Sequence, residues 1–401
     1  MTHTNTRLRA ALAAATEDQL VYDLAGIQDQ YATLQRELPE VAIRFAMKAC
    51  PVDEVLTALA RQGAGFDAAS PSEIEQALGT GVPVERIHYG NTIKSDRNIA
   101  DAYRLGVRDF ATDSLPDVAA IAANAPGARV FCRLATSGEG ALWGLSRKFG
   151  CSAEDAVLVL AAAQAAGLTP AGVSVHVGSQ QMTAEAWRDT FEQLADVIEE
   201  LGRHGIRLAH VNLGGGLPAL GYRDRRGTRL DPPLEKIFTA IREGMQRLRA
   251  VAGSCGGAPL HFLMEPGRYL VADHGAIRAH VYRLSARQQL DGERQYWLYL
   301  SCGKFNGLYE MDQLQYQLEF PSHPQATDAD HVPAVVAGPT CDSDDAYPHE
   351  DDLVRVPRAV ESGEPVWIFS CGAYATSYMT QGFNGFSPVP YTLLPGEGPD
   401  R

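Results

Sequence analysis

From Val41 onward the chain keeps a rhythm that few folds can accommodate. Short apolar, β-prone segments at 42–48, 65–70, 86–91, 109–114, 130–135, 172–177, 209–214 and 261–266 alternate with amphipathic stretches at 52–61, 72–78, 96–105, 115–124, 154–166, 184–203 and 233–251. Pro71-Ser72-Glu73 and Ser114-Leu115-Pro116 read as helix starts, with proline in the first turn. About eight βα units in succession is the count of a (β/α)8 barrel. A doubly wound open sheet is the rival, because strand order cannot be read from spacing.

The phase of the reactive residues favours the barrel. Lys48, Asp67, Arg133, His176, the run Gly214-Gly215-Gly216 and Glu265 all fall at or near strand C-termini. Barrel enzymes keep their sites at that rim. Lys48 closes a strand in which Ile43, Phe45 and Met47 alternate with smaller or polar residues. Taken alone, such a lysine snorkels to water. An ammonium at the mouth of a buried strand can also lose its charge by forming a Schiff base with an aldehyde.

After Tyr269 the rhythm changes. Runs at 276–284, 295–301, 332–336, 353–356 and 365–370 are short and strand-like, separated by Gly, Pro, Asp and Ser. They predict a mostly antiparallel β-domain. The expected division is therefore an N-terminal segment 1–22, open to joining the β-domain, a barrel over 23–268, and the β-domain over 269–401. A short strand is expected at 21–24 and a helix at 27–38. Residues 1–20 are weakly patterned, 323–332 reads as a polar loop, and the Pro/Gly-rich tail after Ser387 reads as irregular.

Composition narrows the partners. A net charge of -14 over 401 residues argues against nucleic acid or an anionic membrane, yet attracts a cationic small substrate. The seven cysteines are scattered without a C-x-x-C pair, and an odd number cannot all pair, which suits a reducing cytoplasm. Arg7 and Arg9 precede an Ala-rich run that ends too early for a secretory signal, and no apolar run spans a membrane.

The constellations each carry a chemistry. His176-Val177-Gly178-Ser179 places an imidazole able to lie flat on an aromatic ring, with a hydroxyl close by. Gly214-Gly215-Gly216 lets backbone N–H groups converge on an anion, although a triple glycine is often only a turn. Glu265-Pro266-Gly267-Arg268 offers a carboxylate for a pyridinium nitrogen and a guanidinium for an anion; the plainer reading is a Glu–Arg pair. Thr340-Cys341-Asp342 supplies a thiol as proton donor and a carboxylate for an ammonium. His349, Glu350, Asp351 and Asp352 follow it, but their spacing fits no ligand pattern and no metal is expected. Tyr374 can donate its hydroxyl to a phosphate.

Ten motifs in order resemble the fold-type III pyridoxal-phosphate decarboxylases, the ornithine/diaminopimelate/arginine decarboxylase family. They are FAMKACP (45–51), GFDAAS (65–70), LSRKFG (145–150), VHVGSQ (175–180), NLGGGLP (212–218), EPGRYLV (265–271), GKFNGLYE (303–310), GPTCDSDD (338–345), GAY (372–374) and GFNGF (382–386). The match runs from Val21 to Pro388, and GPTCDSDD looks most like the ornithine branch. The resemblance implies that Lys48 carries pyridoxal 5'-phosphate, His176 stacks on its ring and Glu265 binds the ring nitrogen. Ser179, Gly215, Gly216, Arg268 and Tyr374 would hold the phosphate, with Asp67 and Arg133 lining the site and Gly267 also binding the cofactor. Cys341 and Asp342 would reach the active site of the other subunit of a homodimer, as catalytic thiol and substrate contact.

In the ornithine branch an acidic residue near the FN motif helps select the side chain. Here Glu310 and Asp312 both compete for that part. The implied reaction is decarboxylation of a basic L-amino acid, ornithine to putrescine first, with lysine, arginine or a specialised amino acid as alternatives. A regulatory homologue without catalysis, a racemase on a similar barrel, and a phosphate-binding barrel hydrolase or aldolase are the rival readings.

Overall fold

A computed structural model describes residues 6–145, 147–290, 292–348 and 352–396. Eight parallel strands close a barrel. They are β2 (Val41–Ala46), β3 (Gly65–Ala68), β4 (Ile87–Tyr89), β5 (Asp109–Thr112), β6 (Arg129–Arg133), β8 (Thr169–Ser174), β10 (His210–Asn212) and β11 (His261–Met264), with β11 returning to β2. The open-sheet rival is thereby excluded. A strand β1 (Gln19–Asp23) precedes them, and β7 (Ala141–Trp143) and β9 (Ser179–Gln181) pair as a small ribbon above the rim.

Period-two alternation explains the barrel's two faces. Phe45, Phe66, Phe110, Val130, Val173, Val211 and Phe262 are buried and belong to the hydrophobic core. The alternate positions include Asp67, His88, Asp109, Phe131 and Asn212, so one face of the strands is unusually polar. The helices begin where local chemistry dictates. In Pro71–Gly79 the Ser70 side chain accepts from the Glu73 N–H at 3.2 Å, and the Glu73 carboxylate accepts from the Ala69 N–H at 2.6 Å. Ser95 caps Asp96–Arg104 in the same way.

The second sheet is built from β12 (Gly275–Gln288), β13 (Arg294–Leu300), β14 (Leu318–Glu319), β15 (His331–Ala337), β16 (Ala346–Tyr347), β17 (Val354–Pro357), β18 (Pro365–Phe369) and β19 (Tyr391–Leu394). Its path is β14-β18-β12-β13-β15-β16, antiparallel except for β13 with β15. β1 joins this sheet, antiparallel to β12 and parallel to β19.

Three expectations need correction. Thr6–Ala14 is a helix whose Leu8 and Leu12 are fully buried against Val21 and Ala276, so a small apolar stripe orders a segment that looked unpatterned. The tail contains a strand, because β19 finds an open edge on β1. The polar loop at 323–332 ends in a short 3-10 turn, Asp328–Asp330, and then enters β15.

Candidate active site

The C-terminal ends of the barrel strands meet in one cleft. Lys48, Asp67, His176, Ser179, Gly215, Gly216, Glu265, Gly267, Arg268 and Tyr374 line it, together with Ala46 and Leu217. Arg133 stays outside that lining but near enough for its charge to act on Asp67 and His176. Cys341, Asp342, Glu310 and Asp312 do not line it. His349, Glu350 and Asp351 lie outside the described residues.

Lys48 sits in a 3-10 turn, Met47–Ala49, just past the end of β2. Its side chain is open to solvent even though protein atoms surround the slot. Desolvation pulls its pKa down, but Asp67, Tyr374 and Glu265 outweigh that and hold it above the ordinary lysine value. The amine is thus reachable and balanced by carboxylates.

His176 shows the opposite balance. Burial, Arg133 and Lys48 push its pKa down to about 3, so the ring is a neutral imidazole at any ordinary pH. Its Nδ1 accepts from the Gly178 N–H at 3.1 Å, which fixes the ring's orientation. A neutral, fixed ring can lie on an aromatic face without electrostatic penalty.

Glu265 follows β11 directly. Asn212 Nδ2 donates to its Oε1, while Asn212 Oδ1 accepts from the Gly214 N–H at 2.9 Å. His88 Nε2 lies 2.8 Å from the same Oε1 and 3.2 Å from Asp67 Oδ1. Sequence reasoning missed both Asn212 and His88. The first opens the NLGGGLP motif and was findable there; the second is a single histidine inside a three-residue strand.

Two glycines form the wall opposite. A Cβ on Gly215 would lie 2.9 Å from His176 Nε2 and 3.0 Å from the Glu265 carbonyl; one on Gly216, whose φ is +120°, would lie 2.5 Å from Val177 Cγ2. A side chain on Gly215 would crowd His176 and Glu265, and one on Gly216 would collide with Val177 and the Gly178 carbonyl. Gln180, at φ +56°, locks the loop beyond by donating to the Ala219 carbonyl and accepting from its N–H, both at 2.8 Å.

Arg268 is buried and bidentate on Glu310, with Nη2 to Oε1 at 2.6 Å and Nη1 to Oε2. Its Nη1 also donates to the Tyr222 hydroxyl at 2.8 Å, and Nε and Nη2 face Ser179 Oγ at 3.3 and 3.2 Å. Tyr374 stacks on the guanidinium at 4.7 Å from a left-handed backbone, φ +56°, pinned by its N–H to the Ala49 carbonyl. The arginine's pair is therefore Glu310, and Glu265 is left to Asn212 and His88. Asp312 pairs with Lys304 at 2.7 Å, beside a second pocket that also includes Arg225 and Asp344.

The Cys341 loop is held from below. Buried Asp345 accepts from the Lys304 N–H at 2.6 Å and from Thr340 N and Oγ1 at 3.0 and 2.6 Å. Asn384 Oδ1 accepts from the Cys341 N–H at 2.7 Å, and Phe383 packs on Phe305. The Cys341 thiol is exposed.

An accessible amine, a neutral flat imidazole, a carboxylate with one oxygen open, and a glycine cradle beside Ser179 and Arg268 together fit an aldehyde-bearing, phosphorylated pyridine. The chain belongs to the family of pyridoxal-dependent decarboxylases, whose pyridoxal-binding domain matches residues 24–272. It is a fold-type III, pyridoxal-phosphate-dependent amino-acid decarboxylase. The chain is 31% identical over 381 residues to a lysine/ornithine decarboxylase of Selenomonas ruminantium, covering 94% of this chain and 89% of the relative. It is 30% identical over 381 residues to a diaminopimelate decarboxylase of Pseudomonas fluorescens, with 90% and 85% covered. Among solved structures, a lysine/ornithine decarboxylase of Vibrio vulnificus complexed with putrescine superposes with a TM-score of 0.81 at 26% identity, covering 98% of this chain and 99% of the other.

Proposed function

We propose that the chain decarboxylates a basic L-amino acid, ornithine foremost, releasing CO2 and putrescine, and that it does so as a homodimer with composite active sites. The observation that carries this reading is the convergence of Lys48, His176, Glu265, the Gly215-Gly216 cradle and Arg268 on one cleft. The relatives that act on ornithine and lysine support the substrate class.

In this reading Lys48 is the point of covalent attachment. Glu265 would accept the ring N–H, and His176 would stack on the ring. Ser179, the backbone of Gly215, Gly216 and Gly267, Arg268 and Tyr374 hold the phosphate, with Asp67 and Arg133 setting the charge around Lys48. When bound, pyridoxal phosphate supplies an electron sink for the bond that releases CO2. Cys341 from a partner copy then returns a proton to the α-carbon, and Asp342 pairs the substrate's distal ammonium. Glu310 has its carboxylate engaged by Arg268 and Tyr222, which favours Asp342 over Glu310 for that ammonium. Asp312, beside Lys304, stays the alternative.

The exposed Cys341 on a braced loop supports a partner-facing role. Seven free thiols support a reducing cytoplasm, and no helix among the described residues is long and apolar enough to cross a membrane. We place the functional boundary near residue 268, with the described N-terminal segment, 6–22, in the β-domain.

The test is a CO2-release panel of ornithine, lysine, arginine and diaminopimelate, with and without added cofactor. Cofactor-dependent turnover fastest on ornithine is expected. A colourless, inactive protein would favour the regulatory reading. Loss of optical rotation without CO2 would favour a racemase.

A further inference from the structure

Among the described residues, His88 is a buried titratable side chain beside the cleft to which the proposed mechanism gives no work. It is buried in β4, with Nε2 between Glu265 Oε1 (2.8 Å) and Asp67 Oδ1 (3.2 Å). Neither approach is aligned as a full hydrogen bond, and Asp67 Oδ1 is buried without another partner, so the ring is shared between two carboxylates. Gly90 makes room for this: a Cβ there would sit 1.9 Å from Asp67 Oδ1 and 3.4 Å from His88 Nε2. Phe131 packs on the imidazole, 5.3 Å between centroids, and His210 meets the same phenyl ring edge-on at 5.6 Å.

The consequence falls on Glu265. Both of its polar contacts, from Asn212 and from His88, are to Oε1. Oε2 is thereby left to face an incoming ring nitrogen. We propose that His88 is a positioning residue for the cofactor's pyridine: by bridging Asp67 and Glu265 it fixes the rotation of the carboxylate that would receive the ring N–H. Burial works against a charged imidazole, but Asp67 and Glu265 outweigh it and push His88 upward, while Arg44 opposes them.

This inference rests on the reading of the cleft as the pyridoxal phosphate site, and its test separates the two. The full-length protein is freed of cofactor. Equilibrium dialysis then measures its affinity for pyridoxal phosphate and for the carbocyclic counterpart, in which C–H replaces the ring nitrogen. The readout is the ratio of the two dissociation constants. For the wild type a clear preference for the pyridine is expected. In His88→Ala that preference should fall roughly tenfold, the scale of a charge-assisted contact, with carbocycle binding little changed. His88→Gln, closer in size, guards against misfolding and should lose about threefold. A ratio unchanged in both variants, or equal weakening toward both rings, would overturn the role of His88 alone. A wild type that binds neither ring, or does not distinguish them, would overturn the reading of the cleft, and this inference with it.

Discussion

Consider Glu310→Gln. Arg268 is 4% exposed and Glu310 8%, and both carboxylate oxygens are engaged, Oε1 by Nη2 and Oε2 by Nη1 and the Tyr222 hydroxyl. The amide keeps one acceptor but turns an NH2 toward a guanidinium and leaves a buried cation uncompensated. Breaking such a pair costs about 3–5 kcal/mol, and the retained acceptor places this case near the lower end, ~3 kcal/mol. With an unfolding entropy of about 2.1 cal/mol/K per residue, 401 residues give ~0.8 kcal/mol/K, so Tm should fall by about 4 °C. The assay is a thermal melt of cofactor-free protein followed by circular dichroism. Adding pyridoxal phosphate should narrow the gap between variant and wild type, because a bound phosphate gives Arg268 a second anion. A drop of less than about 1 °C without cofactor would refute the reasoning, since a lone buried guanidinium cannot be that cheap.

Other outcomes follow from the same geometry. Lys48→Ala should abolish borohydride-trapped cofactor, read by intact mass; label retained elsewhere in the variant would move the attachment point. His176 and His210 are held down to about 3 and about 4, first by burial, so unfolding takes up protons below the ordinary histidine pKa of about 6.5. Their stabilisation is full above that pH and drains as pH falls toward 4; His176→Gln should show a shallower acid limb in urea midpoints between pH 7.5 and 4.5, and identical limbs would contradict the assignment. Asp345→Ala removes three hydrogen bonds from the Cys341 loop, so amide exchange at 338–345 should quicken while exchange in β2 and β3 holds steady.

The barrel was legible because each parallel strand is a short apolar run and each reactive residue sits at its end. Lys48, Glu265 and Gly215-Gly216 could be placed on the rim from that phase alone. The hidden part is what holds them. His88 has no motif, being one imidazole between Ile87 and Tyr89, and only the barrel's strand order, with β2 and β3 between, brings β4 within reach of β11. Tyr222 and Asp345 are unremarkable as letters; their importance comes from contacts across 46 and 41 residues to Arg268 and Lys304. Glu310 competes with Asp312 for a substrate contact on its motif alone, and its buried pair with Arg268, from another part of the chain, could not be read from the sequence. The helix at Thr6–Ala14 escaped notice because two leucines are too few to establish a period.

β1 lies between β12 and β19, with Leu20 opposite both Ile277 and Tyr391. The barrel is thus spliced into the other sheet rather than strung before it. During synthesis, β1 leaves the ribosome long before either neighbour exists and must wait unpaired while the barrel assembles behind it. Only after residue 394 has emerged can β1 be paired along both of its edges.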